Sequence, residues 1–472
     1  MAKVVAAIVT ALVGVGVAAA TATVIAYVAI AAVSIIAAQK LTKAMTPDLG
    51  SAADFAQQGA QGIMVNKTGS NQSIPVIYGA TRTGGIRVFA HTEGTVGDYE
   101  NAHLHLVFAI GEGEMNKCSE IFFDGVSAGT CSSAGSTDPD SWSIASHWSG
   151  KVNMYFRPGT DGQSAIGDLT NKASWTDPRF RGIAYAYLRL EYDEDVWKNG
   201  LPQVTFNVEG KKVRDPGDLG TVAFSDNPAW CILDYITDNR YGKGIPDDDI
   251  DMDSFEDAGD YCDTKNFELR GNVSTNGTLH ANVIDMLSSC RGYIAFGNKY
   301  KLKIDRPIST TSLAITKENT IGNIDYVLGD KSNIFNKLTA KYLDPATDYK
   351  DNIKILESST LKTEDNGIDL EAEIPMPFVK TASVVEQILR EELNQSRQSH
   401  MINLKTTVEG IDLQVGDKVT VTNDTFGMTN KEFIVMSTMI EPNSEVSLAL
   451  REYDSDVYGG SIVTNARADD ND

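Results

Sequence analysis

Apolar and polar positions alternate in short runs along most of this chain, but one long stretch at the amino end does not alternate at all. Between Lys3 and Lys40 no residue is charged, and Val4 to Ala38 is almost wholly Val, Ala, Ile, Gly and Thr. As a helix rising ~1.5 Å per residue the stretch reaches ~50 Å, against a hydrocarbon core of ~30 Å. A helix apolar on every side must be buried on every side. Gly14, Ala18, Ala22 and Ala26 recur every fourth residue and form a ridge of small side chains on which helices approach closely. The segment therefore reads as a self-associating bundle. A secretory signal ending near Ala18 to Ala20, and a membrane anchor flanked by Lys3, Lys40 and Lys43, are the other readings. Alanine's helix preference alone also yields such a ridge.

The polar, Gly-rich stretch 47–73 reads as a linker. Strand patterns follow at 74–78, 85–92, 103–110, 118–124, 152–157, 183–192 and 204–208, each β-branched or aromatic and broken by Gly, Asn or Asp. Asn227-Pro228 opens a helix with Trp230, Ile232, Leu233 and Ile236 on its apolar face, and helices are predicted over 253–263 and 279–290. A hairpin over 292–304 turns at Gly297 and Asn298. Strand patterns return at 336–342, 403–408, 418–423, 432–440 and 446–452, with one helix over 382–394. The predicted organisation is an apolar helix over 1–46, the linker, a β-rich domain over 74–215 with an inserted β region at about 111–180, a small α+β domain over 216–305, a second β-rich domain over 306–460, and an acidic tail over 461–472. The fold class is mainly β, of α+β type, and strands at about ten-residue spacing suggest a barrel or sandwich.

The 472 residues carry 41 Lys plus Arg against 64 Asp plus Glu, a formal charge of −23. That balance argues against stable nucleic-acid binding, which needs cations to displace counterions. Cys118, Cys131, Cys231, Cys262 and Cys290 contain no CxxC pair, so reduced, half-buried thiols are expected, with a Cys118–Cys131 bridge as the alternative. Gly125-Val126-Ser127-Ala128-Gly129 matches a nucleophile-elbow pattern, but a Ser, Gly and Asp loop follows where a helix is required, so a hairpin turn accounts for it. Asp247, Asp248, Asp249, Asp251 and Asp253 could supply calcium ligands, yet Ser254 and Asp260 stand where an EF-hand loop needs Gly and Glu; a helix cap at Asp253 or Ser254 is the preferred reading. His103 and His105 share one strand face without an evident third ligand and read as solvent-facing. No catalytic, cofactor or metal residue is assigned.

Four stretches together resemble one family. Ile74-Pro75-Val76-Ile77-Tyr78-Gly79 with Gly84-Gly85, then Asn227-Pro228-Ala229 to Asp234-Tyr235 and Arg240-Tyr241-Gly242, are similar to the tail-tip hub proteins of long-tailed bacteriophages, the lambda tip-attachment type. Lys341 to Pro345, Val415-Gly416-Asp417-Lys418-Val419, Phe426-Gly427, Asn430-Lys431-Glu432-Phe433 and Leu450-Arg451-Glu452-Tyr453-Asp454 with Val457-Tyr458 continue the match in order, so that it covers 74–458. The resemblance implies a non-enzymatic structural protein of the virion, assembled in the host cytoplasm, with tail-tube-like β-barrel domains and no cofactor. It further implies a homotrimer that closes the tube and contacts the tape-measure protein, the distal tail protein and tail tube, and a tail fibre or receptor-binding protein. In that setting residues 4–38 are expected to plug the lumen and to contact the host membrane on infection. A tail-associated cell-wall-degrading enzyme and a membrane-anchored surface protein are the alternatives.

Overall fold

The computed structural model describes residues 66–68, 72–327 and 333–463, apart from 174, 177, 199, 399 and 442. The apolar segment 1–46 with Gly14, Ala18, Ala22 and Ala26, most of the linker and residues 464–472 lie outside the described residues.

The described chain is mainly β. Two sheets pack face to face in the first part. One runs Lys67–Thr68, Ile86–Val96, Tyr99–Glu112, Ile183–Glu191, Val152–Arg157; the other runs Val222–Phe224, Val204–Arg214, Met115–Phe123, Val126–Thr130, Ser143–Ile144, with Ala80–Thr83 also paired to Val204–Arg214. Side chains alternate across a strand, and Ile183–Glu191 follows that rule. Ala184, Ala186, Leu188 and Leu190 enter the core between the sheets with Phe108, Ile121, Phe156 and Phe206. Tyr185 and Tyr187 point the other way, onto Ile166 and Leu169. The GxSxG stretch is the expected hairpin: Asp124 and Gly125 both adopt positive φ and Val126–Thr130 is a strand.

Six helices complete the described chain: α1 Gly167–Asn171, α2 Pro228–Thr237, α3 Met252–Lys265, α4 Leu279–Leu287, α5 Ser359–Glu364 and α6 Ala382–Ser396. Asn227 caps α2 through its side chain, which accepts from the Ala229 amide, and Pro228 sits at the first helical position where its missing N–H costs nothing. The cap of α3 is Asp251, not Asp253 or Ser254, because the Asp251 carboxylate reaches back to the Ser254 amide at 3.1 Å.

A large core joins α2, α3, α4 and the hairpin Gly292–Phe296/Tyr300–Ile304 to α6 and a three-stranded sheet ordered Lys350–Glu357, Lys337–Asp344, Glu371–Pro375. Tyr235, Phe255, Leu338, Ile388 and Leu389 all belong to it, so it draws on residues from both sides of position 305. A further six-stranded sheet runs Leu313–Ile315, Lys418–Asn423, Met428–Ile440, Val446–Glu452, Met401–Thr406, Thr320–Val327, around Ile402, Val419, Phe433, Val435 and Leu448. Its two end strands are consecutive in the chain. The chain leaves this sheet after Thr320–Val327 and returns at Met401; in between lie the three-stranded sheet and α6.

Lys380, just before α6, is only 2% exposed; its amide donates to Glu268 at 2.8 Å and its ammonium to the Pro377 carbonyl at 2.7 Å. Burial pushes the ammonium down to about 7, against the pull of Glu268 and Asp351. An unfolded lysine binds its proton up to about pH 10.4, so the folded state carries a penalty below pH 7 that is relieved as pH rises toward 10. Urea unfolding should therefore show stability increasing from about pH 7 to about pH 10, and Lys380→Met should flatten that slope and raise stability at neutral pH. A slope that survives the substitution would have another source.

Candidate functional site

The family-like residues of the amino-terminal half converge on one carboxylate. Asp234, in the second turn of α2, is buried, and its Oδ2 accepts from the Tyr78 hydroxyl at 2.6 Å and the Tyr241 hydroxyl at 2.8 Å. Lys211 Nζ, from strand Val204–Arg214, lies 2.7 Å from Oδ1 and 2.9 Å from Oδ2, and also meets the Tyr241 hydroxyl. Asp238 stands 3.6 Å from the same ammonium. Burial first, and then the Asp234 charge, raise the Tyr78 and Tyr241 hydroxyls well above the usual phenol range, so both stay protonated and act as donors. A carboxylate holding three donors is a joint rather than a free base.

The surrounding glycines let the segments approach. Gly79 has φ +60°, and a Cβ there would lie 2.5 Å from the Leu269 carbonyl oxygen. At Gly242 a Cβ would collide with the Tyr235 carbonyl. Tyr235 itself receives the Asn282 side-chain amide at 2.7 Å, and Pro228 starts the helix that carries Asp234. Gly85 sits at the turn before strand Ile86–Val96. Beside the cluster an open cleft of about 650 Å³ is lined by Glu114, Lys212, Arg214, Val222, Ile245 and Asp247 among others, with Lys212 paired to Glu114 and Arg214 to Asp247.

The carboxyl-terminal family-like residues form a separate group around the six-stranded sheet. Phe433 is fully buried in its core. Lys431 Nζ meets Glu452 at 2.9 Å, and the Tyr453 hydroxyl accepts from the Ile308 amide at 2.8 Å. Gly416 turns the chain against Tyr293, while Asp417 accepts from the Gln414 amide at 2.9 Å. The two groups are not brought together.

A second buried node escaped the sequence reading. Arg291, with a side chain 1% exposed, holds Glu391 at 2.7 Å, Glu392 at 3.0 Å, Asp305 at 2.9 Å and Gln395 at 2.7 Å. Burial opposes the charge on Asp305, but Arg291 and Arg451 hold its carboxyl below the usual range; Glu392 is pushed up by burial. The signal was present in α6: Glu391 and Glu392 follow Ile388 and Leu389 by three residues, which puts them on the apolar face.

His103 and His105 are not solvent-facing. His105 is fully buried, its Nδ1 2.7 Å from the Tyr187 hydroxyl and its Nε2 3.2 Å from Glu93, and burial lowers its pKa. His103 lies 3.6 Å from Glu191. The face they share is covered in part by α1 and by Trp175 and Phe180. All five cysteines are free and buried, so the Cys118–Cys131 bridge does not form and the thiols are more deeply buried than expected. Among the described residues no group of three or more His, Cys, Asp or Glu is placed to hold a metal ion, and no helix is long and apolar enough to cross a membrane.

Residues 281–435 match the family model described as putative phage tail protein. Baseplate hub protein pb3 of Escherichia phage T5 is 23% identical over 462 residues, covering 82% of this chain and 48% of that protein. This chain is related to phage tail hub and tip proteins. Tip attachment protein J of Escherichia phage SECphi27 is 22% identical over 299 residues, 56% of this chain and 24% of the other. Among solved structures, a chain from the virion of a native gene transfer agent particle shares the fold with a TM-score of 0.59 at 15% identity, over 86% of this chain and 92% of that one. The chain thus spans about half the length of the first curated relative and a quarter of the second.

If the Asp234 cluster is the joint between sandwich and helices, Asp234→Asn should cost about 3 kcal/mol, the low end for a broken buried pair, because Lys211 then keeps only the more distant Asp238, 3.6 Å away, as counter-charge. Lys211→Met combined with Asp234→Asn should recover much of that loss, since the buried charge is gone while the Asn carbonyl still accepts from Tyr78 and Tyr241. Equilibrium urea unfolding of the two variants checks this, and a loss no larger than ~1 kcal/mol in the single variant would remove the joint from its role.

Proposed function

We propose that this chain is a structural hub at the distal tip of a phage tail, closing the tail tube and joining it to the tape-measure protein inside and to distal tail and fibre proteins outside. The observation that carries this reading is the similarity to a baseplate hub protein across 82% of the chain, supported by a fold shared with a virion chain over 86% of it. In this reading the first sandwich and the six-stranded sheet are two tube-like barrels of one subunit, and three subunits match a sixfold tube. The residues singled out by resemblance, Tyr78, Gly79, Gly85, Pro228, Tyr235, Tyr241, Gly242, Gly416, Asp417, Lys431, Phe433, Glu452 and Tyr453, then serve shape and not chemistry. The domain divisions at 74–215, 216–305 and 306–460 are part of the same proposal, as is assembly in the host cytoplasm.

The charge balance supports a conduit. A lining rich in carboxylates repels the phosphate backbone, whereas Lys or Arg in that position would retain it. Residues 4–38, uncharged and with their ridge of Gly14, Ala18, Ala22 and Ala26, are proposed to meet on the symmetry axis as an apolar plug that enters the host envelope when the tube opens.

Three experiments test the reading. Native mass measurement of the isolated protein should give a trimer; a single subunit at all concentrations would reject the ring. Deleting residues 4–38 should yield tails that leak or fail to deliver DNA, and particles of normal infectivity would reject the plug while leaving the hub in place. A peptidoglycan zymogram separates the hub from a cell-wall-degrading enzyme, since the hub leaves the substrate intact.

A further inference from the structure

At one end of the six-stranded sheet three large aliphatic side chains stand in water. Thr406, Val446 and Ile440 lie in one row across the strands Met401–Thr406, Val446–Glu452 and Met428–Ile440. With neighbouring strands ~4.8 Å apart, the row spans ~10 Å. Thr406 and Val446 are fully buried, whereas Ile440, the last residue of its strand, is 57% exposed. The turn Val408–Gly410 folds back over this row: a Cβ on Gly410 would meet the Thr406 hydroxyl and the Val446 side chain. Val408 and Ile411, 54% and 43% exposed, flank Gly410 where it packs on this row. The Thr407 amide donates to the Asn319 carbonyl at 3.0 Å and fixes the turn there. Single exposed aliphatics are ordinary on a protein surface, but three sharing one rim form a patch.

Carboxylates surround the patch. Glu441 and Glu445 share the Lys405 ammonium at 2.9 and 3.6 Å. Glu409 accepts from the Asn319 amide at 3.1 Å, and Asp412 is exposed beside Ile411. Four acids therefore stand against one cation.

We propose that this rim is a docking surface for another protein, which engages it through a segment presenting aliphatic side chains flanked by Lys or Arg. The charge chooses that occupant over a second copy of this chain. The rim is acidic and the whole chain carries −23, so two copies meeting here would set like charges against each other. A cation-flanked apolar segment satisfies the aliphatics and the carboxylates together. The inference uses only the rim and stands whether or not the chain is a hub.

The test titrates the full chain onto two immobilised synthetic peptides, one of leucines flanked by arginines and one with glutamates in place of the arginines. Binding is expected to the arginine peptide alone. It should weaken roughly tenfold or more in Val408→Ser with Ile440→Ser, and likewise in Glu441→Lys. It should not change in Ile353→Ser, which alters an equally exposed isoleucine on the outer face of strand Lys350–Glu357. Circular dichroism checks that each variant is folded. Equal binding to both peptides, or equal loss with Ile353→Ser, overturns the proposal. So does sedimentation in which the parent chain self-associates and Ile440→Ser does not, since that result gives the patch to a second copy.

Discussion

A carboxylate withdrawn from water must be given back its hydrogen bonds, and Asp234 recovers them from three separate segments, one of them 156 residues away. Tyr78 belongs to strand Val76–Tyr78, Lys211 to Val204–Arg214, and Tyr241 to the loop after α2. Apolar contact between the sandwich and the helices is not directional and would tolerate sliding; a buried ion pair with two phenols does not. The same constraint recurs at Arg291, which ties the segment after α4 to α6 and to Asp305. The Tyr458 hydroxyl, 2.5 Å from Asp305, extends that node into the last described turn of the chain. Packing supplies the bulk of the stabilisation, and the two nodes fix how the packed bodies sit against each other.

Much of this was legible in the sequence wherever the signal was local. Asn227-Pro228 marked the start of α2, and Gly297-Asn298 marked a hairpin turn, because capping and turn chemistry act over a few residues. The apolar and aromatic run at 183–192 predicts a strand buried on at least one face, and Ile183–Glu191 is buried on both. What alternation cannot report is what lies above a face. His103 and His105 share one strand face as expected, but it is not a solvent face: α1 and the aromatic loop at Trp175 and Phe180 cover it in part, and nothing near HLHLVF in sequence announces them.

Long-range closure was the part that local reading could not reach. The strands at 313–327 and 401–452 form one sheet around an excursion of more than one element, and the excursion packs instead with α2, α3 and α4. Strand patterns on the two sides of that exchange look alike, since each strand buries one face whichever body it joins. Resemblance supplied Tyr78 and Tyr241 but neither Lys211 nor the role of Asp234. A buried pair whose members stand 23 residues apart leaves no local trace.

The two nodes also bear on what the surface does. Arg291, Arg397, Lys211 and Lys418 are each held by carboxylates in places with little solvent, so these four of the 41 cations act inward, against acids of the same chain. With 64 acids against 41 bases, what remains for the outside is negative. A net negative surface disfavours a phosphate backbone and favours partners that bring cations with them, so one distribution of charge is compatible with both proposals. On the proposed reading a DNA path must not hold the phosphate backbone while the tip holds its neighbours, and an excess of acid would serve the first demand as the acidic rim would serve the second, so the two proposals draw on the same charge.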